Sequence, residues 1–178
     1  ESTVGVGSVF WIELNLAAAL QLADGADEPL ALIQAPVQHG TALRTLLYIE
    51  DNRANMQLVE QIIARRSDMR LLSASDGTRG IALARTHQPE VILMDINLPG
   101  ISGIQALKIL RADPATAHIP VLAISANAMP RDIRKGLEAG FFRYLTKPIN
   151  INEFMEALDT ALEHAASASG GAVTPGAL

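Results

Sequence analysis

The chain has 178 residues, of which 49% are hydrophobic and 19% charged, which suits one compact domain with some extra length and excludes a disordered chain. With 14 Lys and Arg against 19 Asp and Glu, the net charge of -5 lacks the basic field that phosphate backbones require, so nucleic acid is not an expected partner. Cysteine is absent, excluding disulfide frameworks, zinc–thiolate sites and thiol nucleophiles, and no apolar run approaches the ~20 residues of a membrane span; the expected location is cytoplasmic, with no direct membrane contact.

Residues 1–14 hold a Gly-punctuated segment ending in the apolar run Val9-Phe10-Trp11-Ile12. Residues 15–43 are rich in Ala, Leu, Gln and Pro and read as a linker. Residues 44–164 form a strongly patterned block. Within it, short apolar runs at 45–49, 71–74, 91–94, 121–124 and 142–145 predict buried strands. Helical spacing fills the gaps. Met56, Val59, Ile62 and Ile63 mark the first helix, with Asp51-Asn52 as its natural cap. Ile81, Leu83 and Ala84 mark a weaker second helix that ends before Gln88-Pro89, Gly80 lowering its propensity. Ile104, Leu107 and Leu110 mark the third, closed by Asp113-Pro114 and His118-Ile119-Pro120. Ile133 and Leu137 mark the fourth, and Phe154, Leu158 and Leu162 the fifth, opened by Asn150 and Glu153 as a capping-box variant. His164 then falls at a helix end, where it complements the macrodipole. From Ala165 the apolar period stops, and 165–178 reads as a flexible tail.

Five strands alternating with helices define an α/β fold: a parallel sheet covered on both faces, in a three-layer sandwich with right-handed crossovers. Ligands of such sheets bind beyond the carboxyl ends of the strands. Those ends carry Glu50 and Asp51 after the first strand, Asp95 after the third, Ser125 after the fourth, and Lys147-Pro148 after the fifth. Three gathered carboxylates repel unless a cation neutralises them, and Mg2+, which favours oxygen ligands and phosphate, is the natural answer. No thiolate or grouped histidine argues for a softer metal, since His39, His87, His118 and His164 are scattered. A carboxylate can attack phosphorus to form an aspartyl phosphate, and Asp95 is the candidate nucleophile. Lys147 and Ser125 supply an ammonium and a hydroxyl for the phosphoryl oxygens, while small Ala126 leaves the approach open.

Each piece alone has a plainer explanation. Asn52 could be only a helix cap, Asp95 with Asn97, Pro99 and Gly100 only turn chemistry, and Lys147 only a snorkelling side chain. Their joint occurrence at successive strand ends defeats those explanations. The segment Gly5-Val6-Gly7 has Phe10 where a dinucleotide fingerprint needs a third glycine, so a Rossmann reading fails.

The block from Arg44 to His164, about two thirds of the chain, resembles the receiver domain of two-component response regulators. The resemblance is carried by Leu47-Tyr48-Ile49-Glu50-Asp51-Asn52, by Val91-Ile92-Leu93-Met94-Asp95-Ile96-Asn97-Leu98-Pro99-Gly100, by Ser125-Ala126 and by Tyr144-Leu145-Thr146-Lys147-Pro148. It implies a flavodoxin-like sheet of order 2-1-3-4-5 and a phosphorelay role, with self-catalysed phosphorylation and dephosphorylation. By that likeness Asp95 is the phosphoacceptor, Glu50 and Asp51 are the acidic pair for Mg2+ with the Asn97 carbonyl as a further ligand, Lys147 is the phosphoryl contact, and Ser125 and Tyr144 form a switch pair. Glu50 stands where Asp is more usual. The implied donor is a histidine kinase dimerisation (phosphohistidine) domain or a histidine phosphotransfer protein. Residues 1–14, through Gly5-Val6-Gly7-Ser8-Val9-Phe10, are similar to the end of a histidine kinase ATP-binding domain. That second likeness implies the C-terminal part of a hybrid sensor histidine kinase, whose parent chain is an enzyme. Two rivals are a phosphate-independent interaction module and an aspartyl phosphatase; the latter wants an acid–base carboxylate two residues after the nucleophile, where Asn97 stands.

Overall fold

The structure, a computed structural model, describes residues 2–3, 7–8 and 43–170. The chain divides into two units, Glu1–Gln38 and His39–Leu178. In the first, Ser2–Thr3 pairs antiparallel with Gly7–Ser8, placing Ser2 opposite Ser8. The predicted run Val9 to Ile12, the linker up to residue 42 and the tail from residue 171 lie outside the described residues.

In the second unit, strands β1 (Arg44–Ile49), β2 (Met69–Ala74), β3 (Val91–Asp95), β4 (Val121–Ser125) and β5 (Arg143–Thr146) form an all-parallel sheet of order β2-β1-β3-β4-β5. Helices α1 (Arg53–Ile63), α2 (Gly77–His87), α3 (Gly103–Ala112), α4 (Pro130–Ala139) and α5 (Ile151–Gly170) alternate with them. This is the expected flavodoxin-like, three-layer arrangement. Period-two alternation explains why the strands read as continuous apolar runs. Leu46, Tyr48, Val91, Leu93, Leu122 and Ile124 join a core with α1 and α5, while Leu47, Ile49, Ile92, Met94, Val121 and Ala123 join another with α2 and α3. Because β1 sends its chain outward to β2 and β3 resumes on its other side, the ends of β1 and β3 diverge and open a crevice at the carboxyl edge.

Local signals account for most helix starts. The Asn52 side chain accepts from the N–H groups of Ala54 and Asn55, and Asp76 accepts from Arg79. Asn150 accepts from Asn152 and Glu153, but the reciprocal capping box is formed by Ser102 and Gln105 at α3. The weak second helix has its own logic. A Cβ at Gly80 would run into the Ile49 side chain, so the low-propensity glycine lets α2 lie close against β1.

Three expectations are corrected. The tail predicted from Ala165 is helical as far as Gly170, because Ala165, Ala166 and Ala168 extend a helix without needing an apolar stripe. His164 is therefore inside α5 rather than at its end, its ring 5.1 Å from that of Phe142. In α4 the predicted core residue Leu137 is 46% exposed and the buried residue is Gly136, so α4 rests on the sheet by a bare backbone face. Among the described residues, no helix is long and apolar enough to cross a membrane.

Candidate functional site

The carboxyl ends of β1, β3, β4 and β5 bring the predicted residues to one edge. Glu50 leaves β1 with its N–H donating to the Ala74 carbonyl at 3.0 Å, and its side chain turns inward and is buried. Its carboxylate accepts four hydrogen bonds. Oε1 receives the Asn52 N–H and Asn55 Nδ2, each at 3.2 Å, and Oε2 receives the Tyr48 hydroxyl and Lys147 Nζ, each at 2.8 Å. Asp51, next in the chain, is exposed. Asp95 ends β3 and is buried, its Oδ1 accepting from the Asn97 N–H at 2.9 Å.

Lys147 is set by β5. Its N–H donates to the Ser125 carbonyl at 2.8 Å, and its ammonium bridges Glu50 Oε2 at 2.8 Å and Asp95 Oδ2 at 2.5 Å. Burial works against an ammonium here, but hydrogen bonds and charge from Asp95 and Glu50 outweigh it and hold Lys147 above its ordinary pKa. Burial likewise opposes the Glu50 anion, yet the Lys147, Tyr48 and Asn55 hydrogen bonds bring its pKa below the usual carboxylate value. Burial, then the Glu50 charge, pushes the Tyr48 phenol far up, so it remains a hydrogen-bond donor throughout the physiological range.

Ser125 is fully buried, and its Oγ accepts from the Asn127 N–H at 3.1 Å. The Tyr144 hydroxyl donates to the Asn127 carbonyl at 2.9 Å. The Tyr144 ring lies on the bare face of α4, where a Cβ at Gly136 would fall 2.6 Å from Cδ2. Ala126 is exposed beside Ser125.

One carboxylate oxygen from each of Glu50, Asp51 and Asp95 lies within 4.8 Å of the other two. This donor set is purely hard oxygen, with two buried carboxylates and one open to water, and it fits Mg2+ rather than a thiophilic ion. No histidine joins the cluster among the described residues.

Strand-end reasoning brought Glu50, Asp51, Asp95, Ser125 and Lys147 to this edge, and the resemblance added Asn97 and Tyr144. It missed Asn55, Tyr48 and Asn127, which hold those groups. The signal for Tyr48 was available: two residues before Glu50 on one strand, it shares the same face. The role of Asn127 passes through its backbone and leaves no mark in side-chain chemistry.

The model of the response regulator receiver domain matches residues 46–159. The chain is 36% identical over 119 residues to the polar-differentiation response regulator DivK of Brucella anthropi, an alignment covering 67% of this chain and 96% of DivK. Among solved structures it is similar to the receiver domain of sensor histidine kinase PA1611 from Pseudomonas aeruginosa, which has a magnesium ion coordinated in its active site cleft. That likeness has 30% identity and a TM-score of 0.63, covering 68% of this chain and 99% of the other. The chemotaxis response regulator CheY4 of Vibrio cholerae shares the fold with a TM-score of 0.63 over 68% of this chain and 100% of CheY4, at 23% identity. Sheet order, strand-end chemistry and relatives converge, and this chain belongs to the family of response regulator receiver domains.

Proposed function

We propose that this chain takes a phosphoryl group from a phosphohistidine onto Asp95, with Mg2+, and passes the event on as a change of conformation. The observation that carries this reading is Lys147 Nζ, which bridges the two buried carboxylates Glu50 and Asp95 at a strand-end crevice. An ammonium so placed compensates Asp95 before reaction and can follow the negative charge onto an incoming phosphoryl oxygen. An Asp95 carboxylate oxygen attacks phosphorus; the P–O bond forms as the P–N bond breaks, and the electron pair of that bond returns to the imidazole nitrogen. The donor enters with its second ring nitrogen protonated, so the products are a mixed anhydride on Asp95 and a neutral imidazole that keeps that proton. Ser125 Oγ accepts from Asn127, so its own O–H remains to donate to a phosphoryl oxygen. Glu50, Asp51 and Asp95, with the Asn97 carbonyl, would hold Mg2+, which supplies positive charge against the crowded carboxylate and phosphoryl oxygens.

The donor is a histidine kinase dimerisation domain or a histidine phosphotransfer protein, and the setting is cytoplasmic. Origin in a hybrid sensor histidine kinase is supported by the likeness of residues 1–14 to a kinase end and by the relative that is itself the receiver of a sensor kinase. The test is intact mass after incubation with Mg2+ and a small-molecule phosphodonor. One added phosphoryl group that is lost in Asp95→Ala supports the reading. No added mass in the unsubstituted chain makes it a phosphate-independent interaction module, and an unchanged label in Asp95→Ala moves the acceptor elsewhere.

A further inference from the structure

Glu50 reaches one methylene further than an aspartate, and that extra torsion leaves its carboxylate free to turn unless something fixes it. Two of its three side-chain donors come from residues that the phosphoryl chemistry does not use. Tyr48 lies on the same face of β1, two residues earlier, and is fully buried in the core shared with α1 and α5. Its phenol cannot reach water, and its hydroxyl is satisfied by Glu50 Oε2. Asn55, in the first turn of α1, donates to the other oxygen. The two donors therefore grip Glu50 from a rigid strand and a rigid helix. Lys147 differs from both, because it is shared with Asp95 and its side chain is 18% exposed, which makes it the donor able to leave.

We propose that Tyr48, seconded by Asn55, is a positioning residue that sets the orientation of the Glu50 carboxylate for the magnesium ion of this site. The proposal rests on the phosphoacceptor reading above. A buried hydroxyl fixed by core packing holds an outer-shell contact that costs no reorganisation when the cation arrives, as the supporting partners of metal ligands do elsewhere. Removing the hydroxyl leaves the ring packed and lets the carboxylate turn.

The test is calorimetric magnesium titration of the unphosphorylated full chain as the unsubstituted protein, Tyr48→Phe, Asn55→Ala, Glu50→Asp and Tyr48→Phe/Glu50→Asp. Tyr48→Phe should weaken magnesium binding roughly tenfold, the lower range for lost outer-shell partners. Asn55→Ala should weaken it roughly threefold, the scale of one ordinary hydrogen bond. In the Glu50→Asp background the shorter carboxylate withdraws from the phenol, so Tyr48→Phe should add less than about twofold; that coupling separates positioning from general destabilisation. In the metal-free protein the Glu50 carboxylate carbon resonance should also shift in Tyr48→Phe. Equal affinity of Tyr48→Phe and the unsubstituted chain overturns the proposal, as does an equal loss in both backgrounds. If Tyr48→Phe does not fold, undiminished affinity in Asn55→Ala overturns it. A chain in which even the unsubstituted protein binds no magnesium overturns the phosphoacceptor reading, and this proposal with it.

Discussion

Ser125 and Tyr144 are tied to the backbone of one residue: the Asn127 N–H donates to Ser125 Oγ at 3.1 Å, and the Asn127 carbonyl accepts from the Tyr144 hydroxyl at 2.9 Å. The predicted switch pair thus has a physical link through the backbone between β4 and α4. On the proposed phosphoryl chemistry, a serine hydroxyl drawn toward a phosphoryl group would loosen Asn127, and Asn127 in turn would loosen the tyrosine.

The first prediction follows from that link. Ser125→Ala removes the acceptor for the Asn127 N–H while leaving Asp95 and Lys147 in place. Phosphorylation should persist, and the Tyr144 ring resonances should no longer respond to it. Tyr144 shifts that survive in phosphorylated Ser125→Ala would contradict the link.

Gly136 provides a second. Alanine favours a helix by about 1 kcal/mol over glycine, but here its methyl would lie 2.6 Å from Tyr144 Cδ2 and 2.9 Å from Cε2. The half-buried ring can yield, so Gly136→Ala should show little net change in stability together with loss of the Tyr144–Asn127 hydrogen bond. Denaturant unfolding and the Tyr144 resonances measure both. A full gain of about 1 kcal/mol with the ring undisturbed would count against the close packing.

Asp51 is the exposed member of the carboxylate cluster and has no place in the core. Asp51→Ala should weaken magnesium binding and slow phosphorylation. The metal-free domain should melt at the same or a slightly higher temperature, since like-charge repulsion is relieved. An unaltered magnesium titration would remove Asp51 from the site.

Lys147 governs the pH response of the metal-free domain. Glu50 has a folded pKa below its unfolded value, so its contribution is present above about pH 4.5 and is lost as pH falls through the folded pKa. Lys147→Met removes the cation and leaves two buried carboxylates without it, a change of roughly 3 kcal/mol at pH 7 by the measure of other broken buried pairs. Burial then dominates Glu50 and raises its pKa, so the destabilisation should shrink as pH falls toward 4 and Glu50 takes up a proton. Urea unfolding at pH 4 and pH 7 without metal tests the sign; an equal loss at both would show that the ammonium does not compensate these carboxylates.

The apolar runs of the strands, the helix starts at Asn52 and Asn150, and the stops at Gln88 and Asp113 were legible because each depends on neighbours within a few residues. So was the gathering of Glu50, Asp51, Asp95, Ser125 and Lys147, since parallel strands bring all their carboxyl ends to one edge. Periodicity alone left the order of those strands open; pairing across β1 and β3 joins residues about 45 positions apart, as Leu46 with Val91, and only the resemblance to a family suggested it. The end of α5 was misread because alanine sustains a helix without an apolar stripe. The outward Leu137 was misread because a glycine, not a large side chain, meets the sheet from α4. Tertiary structure alone decided how the other site groups are held: the Asn127 backbone between Ser125 and Tyr144, and the ammonium of Lys147 between two carboxylates. Hydrogen bonds of this kind depend on tenths of an ångström and on direction, which packing across the sheet sets and residue type does not.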